Sequence, residues 1–302
     1  MLEQIMDLID ISSIEWAKWQ LPIIIGVVAL LILLLIILSI RDLCRFVVRE
    51  YYFCANGLKK NAKLLILSDV HNKQYGKNNQ ALWNEIELIA PDYILVAGDM
   101  ITAKKGKNNR PAIELLTMLS VKYPVFYANG NHEKRLMVPE SPLYETGEDY
   151  ERQIEKLPLW RLRNEYMYLP ELNMNIFGLD MDVEYYRRFG EEKMSAEYLE
   201  SVLGVAQKGV VNVLIAHNPE FFRQYAAWGA DLVVSGHYHG GVVRLPRVGG
   251  LISPRFKLFP QFDGGIFTTL RSTLVVSRGL GNHAIPLRLN NPGELVVIHM
   301  RY

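Results

Sequence analysis

Five apolar runs in this 302-residue chain each end in an Asp, Asn or His, usually with a Gly beside it. Asp69 and His71 follow "LLILS"; Asp99 follows "ILVAG"; Asn131 and His132 follow "VFYANG"; His217 follows "VLIA". The run "DLVVSGHYHGG", residues 231–241, presents His237 and His239 one residue apart on a glycine-pinched turn. A single strand-end Asp is ordinarily a turn residue or a helix cap. Five such ends in one chain, holding five of its seven histidines, point instead to a shared ligand. Imidazole nitrogens and carboxylate oxygens without sulfur suit borderline to hard divalent metals such as Zn, Fe or Mn. These donors are too many for one ion. Two ions about 3.5–4 Å apart, sharing a carboxylate, would use them all. Asp69, Asp99 and a bridging hydroxide would leave such a pair net positive, which attracts a phosphate and stabilises charge developing during its transfer. An acid in place of Asn131 would remove that attraction.

The elements that must position these residues begin at Lys63. "KLLILSD", "DYILVAGD" and "PVFYANGNH" read as strands, with "QALWNEIELIA" and "AIELLTMLS" as helices between them. Further on, "MNIFGLD", "NVLIAHNP", "DLVVSGHYHG", "TLVVSRGLG" and "ELVVIHM" are strands. "SAEYLESVLGVAQKG" and "PEFFRQYAAWG" are helical, the second with Pro219 near its start and Gly229 past its end. The alternation predicts a layered α/β domain, in which ligands bind at the carboxyl ends of the strands. The run "KKGKNNR", 104–110, reads as a solvated loop.

Composition narrows the function. A formal net charge of +1 creates no general attraction for nucleic acid. Two cysteines, Cys44 and Cys54, exclude a disulfide framework and a Cys-rich zinc site. Leu21 to Ile40 is twenty residues without a charge, about 30 Å as a helix and enough to cross a bilayer. A cleaved signal peptide fits less well, because the preceding segment is acidic (Glu3, Asp7, Asp10, Glu15) and the apolar run is too long. Only Lys18 is basic before the run, whereas Arg41, Arg45, Arg49, Lys59 and Lys60 follow it, which predicts residues 41–302 on the cytoplasmic side. The expected organisation is a tail (1–20), a transmembrane helix (21–40), a juxtamembrane segment (41–62) that continues the helix or lies at the interface, and an enzyme domain (63–302).

The blocks D-x-H (Asp69–His71), G-D (Gly98-Asp99), G-N-H (Gly130–His132), a lone His217 and G-H-x-H (Gly236–His239) occur in that order. In this order they resemble the calcineurin-like metallophosphoesterases, over about residues 63–302. The stretches "GGVVRLPRVGGL" and "SRGLGNHAIPLRLNNPGEL" are similar to a bacterial membrane-associated branch that includes UDP-2,3-diacylglucosamine pyrophosphatase-like proteins. The resemblance implies a two-sheet β-sandwich flanked by helices and a dinuclear centre. Asp69, His71, Asp99 and His239 would hold one metal; Asp99, Asn131, His217 and His237 the other. His132 would face the substrate as a general acid or phosphate partner. A metal-bridging hydroxide would attack a phosphoester or pyrophosphate, and the branch implies a lipid-linked or nucleotide-linked substrate. Two departures stand out: Met100-Ile101-Thr102 follow the G-D where many members carry an acid, and Glu133 stands where Asp is common.

Arg244, Arg278, Arg288 and His283 are candidate substrate contacts, weighed against the ordinary reading of an arginine as a solvated charge. His299 reads as structural or exposed. The stretch 242–262 mixes apolar and basic residues with prolines and glycines. It either packs on the domain or lies at a membrane surface, where each basic residue adds about 1 kcal/mol. A nucleic-acid phosphodiesterase would want a basic stripe that this chain lacks. A non-catalytic metal-binding scaffold would be free to lose ligands, and none is missing. Nothing in the sequence indicates an oligomeric state.

Overall fold

The computed structural model describes residues 11–186, 194–245, 247–252, 258–269, 271–282 and 286–302. Two six-stranded sheets face each other. The first holds β1 (Phe46–Cys54), β2 (Ala62–Leu67), β3 (Tyr93–Ala97), β4 (Val125–Ala128), β5 (Trp160–Leu162) and β14 (Gly293–Arg301), in the order β1-β14-β2-β3-β4-β5. The second holds β6 (Glu165–Leu169), β7 (Met174–Leu179), β8 (Val211–Ala216), β9 (Leu232–Ser235), β12 (Gly265–Thr268) and β13 (Thr273–Val276), in the order β12-β13-β9-β8-β7-β6. A short ribbon, β10 (Arg244–Leu245) with β11 (Gly249–Gly250), lies apart. The helices are α1 (Ile11–Cys44), α2 (Gln80–Ile89), α3 (Arg110–Lys122), α4 (Asn131–Leu136), α5 (Tyr144–Ile154), α6 (Ala196–Leu203) and α7 (Phe222–Trp228).

Helices cover both outer faces, so the central strands are buried on two sides and read as continuous apolar runs. Along β2, Leu65 and Leu67 pack under α2 and α3 with Leu82, Ile86 and Leu115. Leu64 and Ile66 point the other way, into the space between the sheets, against Ile176, Val213 and Val234. A third apolar layer lies under α6 and α7, where Leu214 and Val233 meet Leu199, Phe222 and Tyr225. This is the expected α/β two-sheet sandwich. Strands β2, β3 and β4 are mutually parallel, as are β7, β8 and β9. The carboxyl ends of β2, β3, β4, β8 and β9 therefore carry all the loops that hold the predicted ligands.

Segment 41–62 departs from expectation. Helix α1 ends at Cys44, and "FVVREYYFC" is then an edge strand, parallel to β14 from Phe46↔Gly293 to Cys54↔Arg301. Phe46 and Val48 pack toward the helix-side layer, and Tyr51 and Phe53 toward the inter-sheet layer. The fold thus reaches back to the foot of α1. Within α1, Gln20–Cys44 is long and apolar enough to cross a membrane. Its end is seated on the domain: Asp42 is fully buried and accepts the Asn291 N–H at 3.0 Å, and the Ser39 hydroxyl accepts the Arg288 N–H at 3.3 Å.

Candidate metal centre

Each ligand candidate sits where its strand breaks into a tight turn. Asp69 (φ 50°), His71 (50°), Asp99 (54°), His237 (72°) and His239 (50°) all have left-handed backbone. For side chains other than glycine this costs on the order of 1 kcal/mol or more each and persists only where surroundings impose it. The loops impose it on one another. The Asp69 N–H donates to Gly98 O, the His71 N–H to Asp99 O, and the Gly236 N–H to His217 O, at 3.0, 3.0 and 3.1 Å. Gly98 (φ 81°) permits a close approach, since a Cβ there would lie 2.5 Å from the Gly130 backbone. The sheets are joined at the site by the His237 N–H, which donates to both Asp69 carboxylate oxygens at 3.1 Å.

The side chains converge. His217 Nε2 is 3.2 Å from Asp99 Oδ2 and 3.8 Å from Asp69 Oδ1. His239 Nε2 is 3.2 Å from Asp69 Oδ1, and His71 Nε2 is 3.8 Å from Asp99 Oδ2. Donor atoms of Asp69, His71 and His239 lie within 4.8 Å of one another, as do those of Asp99, His217 and His237. A third such set, His71, Asp99 and His132, shares Asp99 with the second.

Hydrogen bonds decide which ring nitrogens are bare. His71 Nδ1–H donates to Ile101 O at 3.0 Å and His217 Nδ1–H donates to Ala97 O at 2.6 Å, because a carbonyl can only accept. The His217 ring then turns its Nε2 lone pair toward two carboxylates, and His71 Nε2, also bare, lies 3.1 Å from His239 Nε2. Asn131 Oδ1 is likewise buried with no hydrogen-bond partner among the described residues. Facing acceptors need a cation between them. Without metal, a proton serves on His217: burial lowers its pKa, but Asp99 and Asp69 outweigh this and raise it to about 10. His71 goes the other way, to about 3, through burial and the neighbouring His132. Burial pushes the Asp69 carboxyl up, and His239 and His217 more than reverse it, holding it below the usual carboxylate range. Buried oxygen and nitrogen donors with a shared carboxylate fit divalent cations.

His132 belongs geometrically to a metal set, with Nε2 3.9 Å from Asp99 Oδ2. Its tautomer sets it apart. Nδ1 accepts the Ala103 N–H at 2.8 Å, so the neutral ring carries its proton on Nε2. A ring so arranged is a donor rather than a ligand.

Glu133 has a larger part than its sequence position suggests. Its buried carboxylate accepts the N–H groups of Asp99 (2.8 Å), Met100 (2.8 Å) and Gly130 (2.9 Å), and the Tyr127 hydroxyl (2.9 Å). One side chain thus fixes the G-D and G-N-H loops together. The readable signal was its place as third residue of α4, from which a glutamate reaches back to the N–H of the residue before the helix, here Gly130.

The candidate substrate contacts divide. Arg288 is 3% exposed and turns inward, its Nη atoms donating to the carbonyls of Asn291, Pro292, Arg278, Gly279 and Gly281. It is therefore a structural hub, contrary to expectation: one planar fork gathers five carbonyls in a buried place. Arg244 and Arg278 line a cavity of about 440 Å³ together with Arg49 and Arg247. His283 lies outside the described residues. So do 246 and 253–257 of the mixed stretch 242–262; of the remainder, Phe259 is exposed while Phe262 packs on Phe222 and Phe267. His299 bonds Glu50 across β14 and β1 at 2.7 Å, a structural contact.

A sandwich with Asp and His clusters at its strand ends defines a metallophosphoesterase, and residues 62–241 match the calcineurin-like phosphoesterase family. The chain belongs to that family. An uncharacterized metallophosphoesterase of Campylobacter jejuni is 27% identical over 81% of this chain and 60% of its own length. Another, from Bacillus subtilis, is 29% identical over 34% of this chain and 35% of its own. The chain thus spans only part of the length of these two relatives. The UDP-2,3-diacylglucosamine pyrophosphatase of Chlamydia muridarum is a further distant relative, 22% identical over 80% of this chain and 84% of its own.

Proposed function

We propose that this chain is a membrane-anchored dinuclear phosphoesterase acting on a phosphoester or pyrophosphate of a lipid-linked or nucleotide-linked substrate. Asn291 carries this reading. Its backbone N–H donates to Asp42 at the end of α1, while its side-chain amide donates to the carbonyls of His239 (2.7 Å) and Gly241 (2.6 Å). One residue ties the foot of the apolar helix to a metal-binding loop, so an anchor there would hold the catalytic cluster near lipid. The basic residues after the helix favour the cytoplasmic side. The pyrophosphatase named for the Chlamydia relative fits such a substrate, a nucleotide-linked acylated sugar.

Asp69, His71, Asp99 and His239 would hold one ion, and Asp99, Asn131, His217 and His237 the other, with Asp99 shared. Two bound Mn, Zn or Fe ions supply a water-derived nucleophile at neutral pH and a charge clamp for the phosphate. The left-handed turns aim the ligands from both sheets at one place. His132, with its proton on Nε2, donates to the leaving oxygen.

The test is a screen of the full-length chain in nanodiscs with Mn, Zn, Fe and Mg. The substrates are an aryl phosphomonoester, a bis-aryl phosphodiester and a UDP-linked diacyl sugar. Hydrolysis of the lipid-linked compound in preference to the soluble ones is the expected result. Turnover of the soluble esters alone would overturn the substrate assignment. Protease added to intact cells should spare 41–302, and its degradation would overturn the orientation.

A further inference from the structure

We propose that the arginine-lined cavity behind the "GHYHGG" loop is a second anion site, taking the phosphate of a lipid headgroup. No proposed metal ligand lines it. Arg49 comes from β1, Arg244 and Arg247 from the β10–β11 ribbon, and Arg278 from the loop after β13. Segments distant in sequence thus bring four arginines around about 440 Å³.

The charges there do not balance within the fold. Arg244 pairs with Asp263 at 2.8 Å and Arg278 with Glu294 at 2.9 Å. Arg49 and Arg247 form no ion pair among the described residues. Arg244 and Arg278 also repel each other across a partly desolvated space. An anion relieves that repulsion. A phosphate suits it best, because the planar guanidinium fork meets two of its oxygens at once.

The rim selects among phosphates. Leu245 (42% exposed), Val248 (59%) and Ile266 (43%) line the same cavity. Exposed apolar side chains beside cations match an amphiphile, with the phosphate inside and the hydrocarbon against the rim. Location agrees: Arg49 lies on the strand that leaves the foot of α1. Arg244 also donates to Gly240 O at 2.9 Å, the residue after His239, which links the cavity lining to the metal-binding loop. The lipid as source rests on the anchored reading above; the anion site rests on the four arginines.

The experiment uses the full-length chain in mild detergent, carrying Asp99→Ala so that no probe is consumed. Short-chain phosphatidic acid, the matching diacylglycerol and inorganic phosphate are titrated calorimetrically, with and without Arg49→Ser and Arg247→Ser. Neither arginine is ion-paired, and an unchanged unfolding temperature confirms that both proteins are folded. Phosphatidic acid is expected to bind most tightly and to lose about tenfold or more in affinity when the arginines are removed. Unchanged affinity in the arginine variant overturns the site. Equal arginine-dependent binding of phosphatidic acid and inorganic phosphate overturns the lipid and leaves a free-phosphate site. Failure of the phosphoesterase reading would show separately, as absence of ester hydrolysis by the wild-type chain while arginine-dependent binding persists.

Discussion

His217 and Arg288 are both buried and both polar, yet they stand at opposite extremes of satisfaction. Arg288 serves five carbonyls and leaves nothing for a ligand. His217 uses one nitrogen on Ala97 O and aims the other at two carboxylates. The same contrast separates the regions around them. The strand-end cluster holds strained turns and acceptors facing acceptors, whereas the 278–292 hub is a closed set of donors and carbonyls. A completed polar network builds structure, and an incomplete one in a strained setting is built for something absent from the chain.

The contrast breaks most visibly at Asp99. Asp99→Ala should reduce bound metal from two ions to fewer than one per chain and abolish ester hydrolysis, measured by elemental analysis and turnover. Retention of nearly two ions would end the shared-ligand assignment. His132→Ala should keep both ions and lose about 10²–10⁴ in rate. Metal loss in that variant would mean that the Ala103 hydrogen bond does not set its role. Glu133→Gln replaces an all-acceptor carboxylate with a group that cannot accept at both ends, and metal affinity should fall about 10–100-fold, read by competition with a chelating dye.

Proton release sharpens the comparison further. A His217 pKa raised to about 10 means that the metal-free centre holds a proton there at pH 7, while His71, at about 3, holds none. Metal binding should therefore release about one proton from His217, and apparent affinity should rise with pH as that proton becomes easier to remove. Titration of metal into weakly buffered protein measures it; release of none would show His217 already neutral. The smallest effect on the centre should come from Arg288→Met. It should cost about 1–3 kcal/mol for each carbonyl left dry, seen as a lower unfolding temperature, while the folded, metal-loaded fraction turns over nearly as fast as wild type. A rate loss matching His132→Ala would place Arg288 in the chemistry after all.

The sequence by itself determined the strands that lead into the site and the residues at their ends. A strand buried on both faces must be apolar throughout, and the turn that ends it must carry the polar groups, so both signals fall within a few adjacent residues. Glu133 was readable in the same local way, as an acid at the third position of α4. Tertiary structure alone decided the rest. "FVVREYYFC" became a strand because β14 lies beside it, and Asp42 became buried because Asn291 meets it 249 positions away. Arg288 and Arg278 sit in one stretch of sequence, yet one is enclosed by carbonyls and the other lines a cavity. Nothing local distinguishes them, because an arginine's role depends on which acceptors the fold brings within reach of its fork, and those acceptors come from elsewhere in the chain.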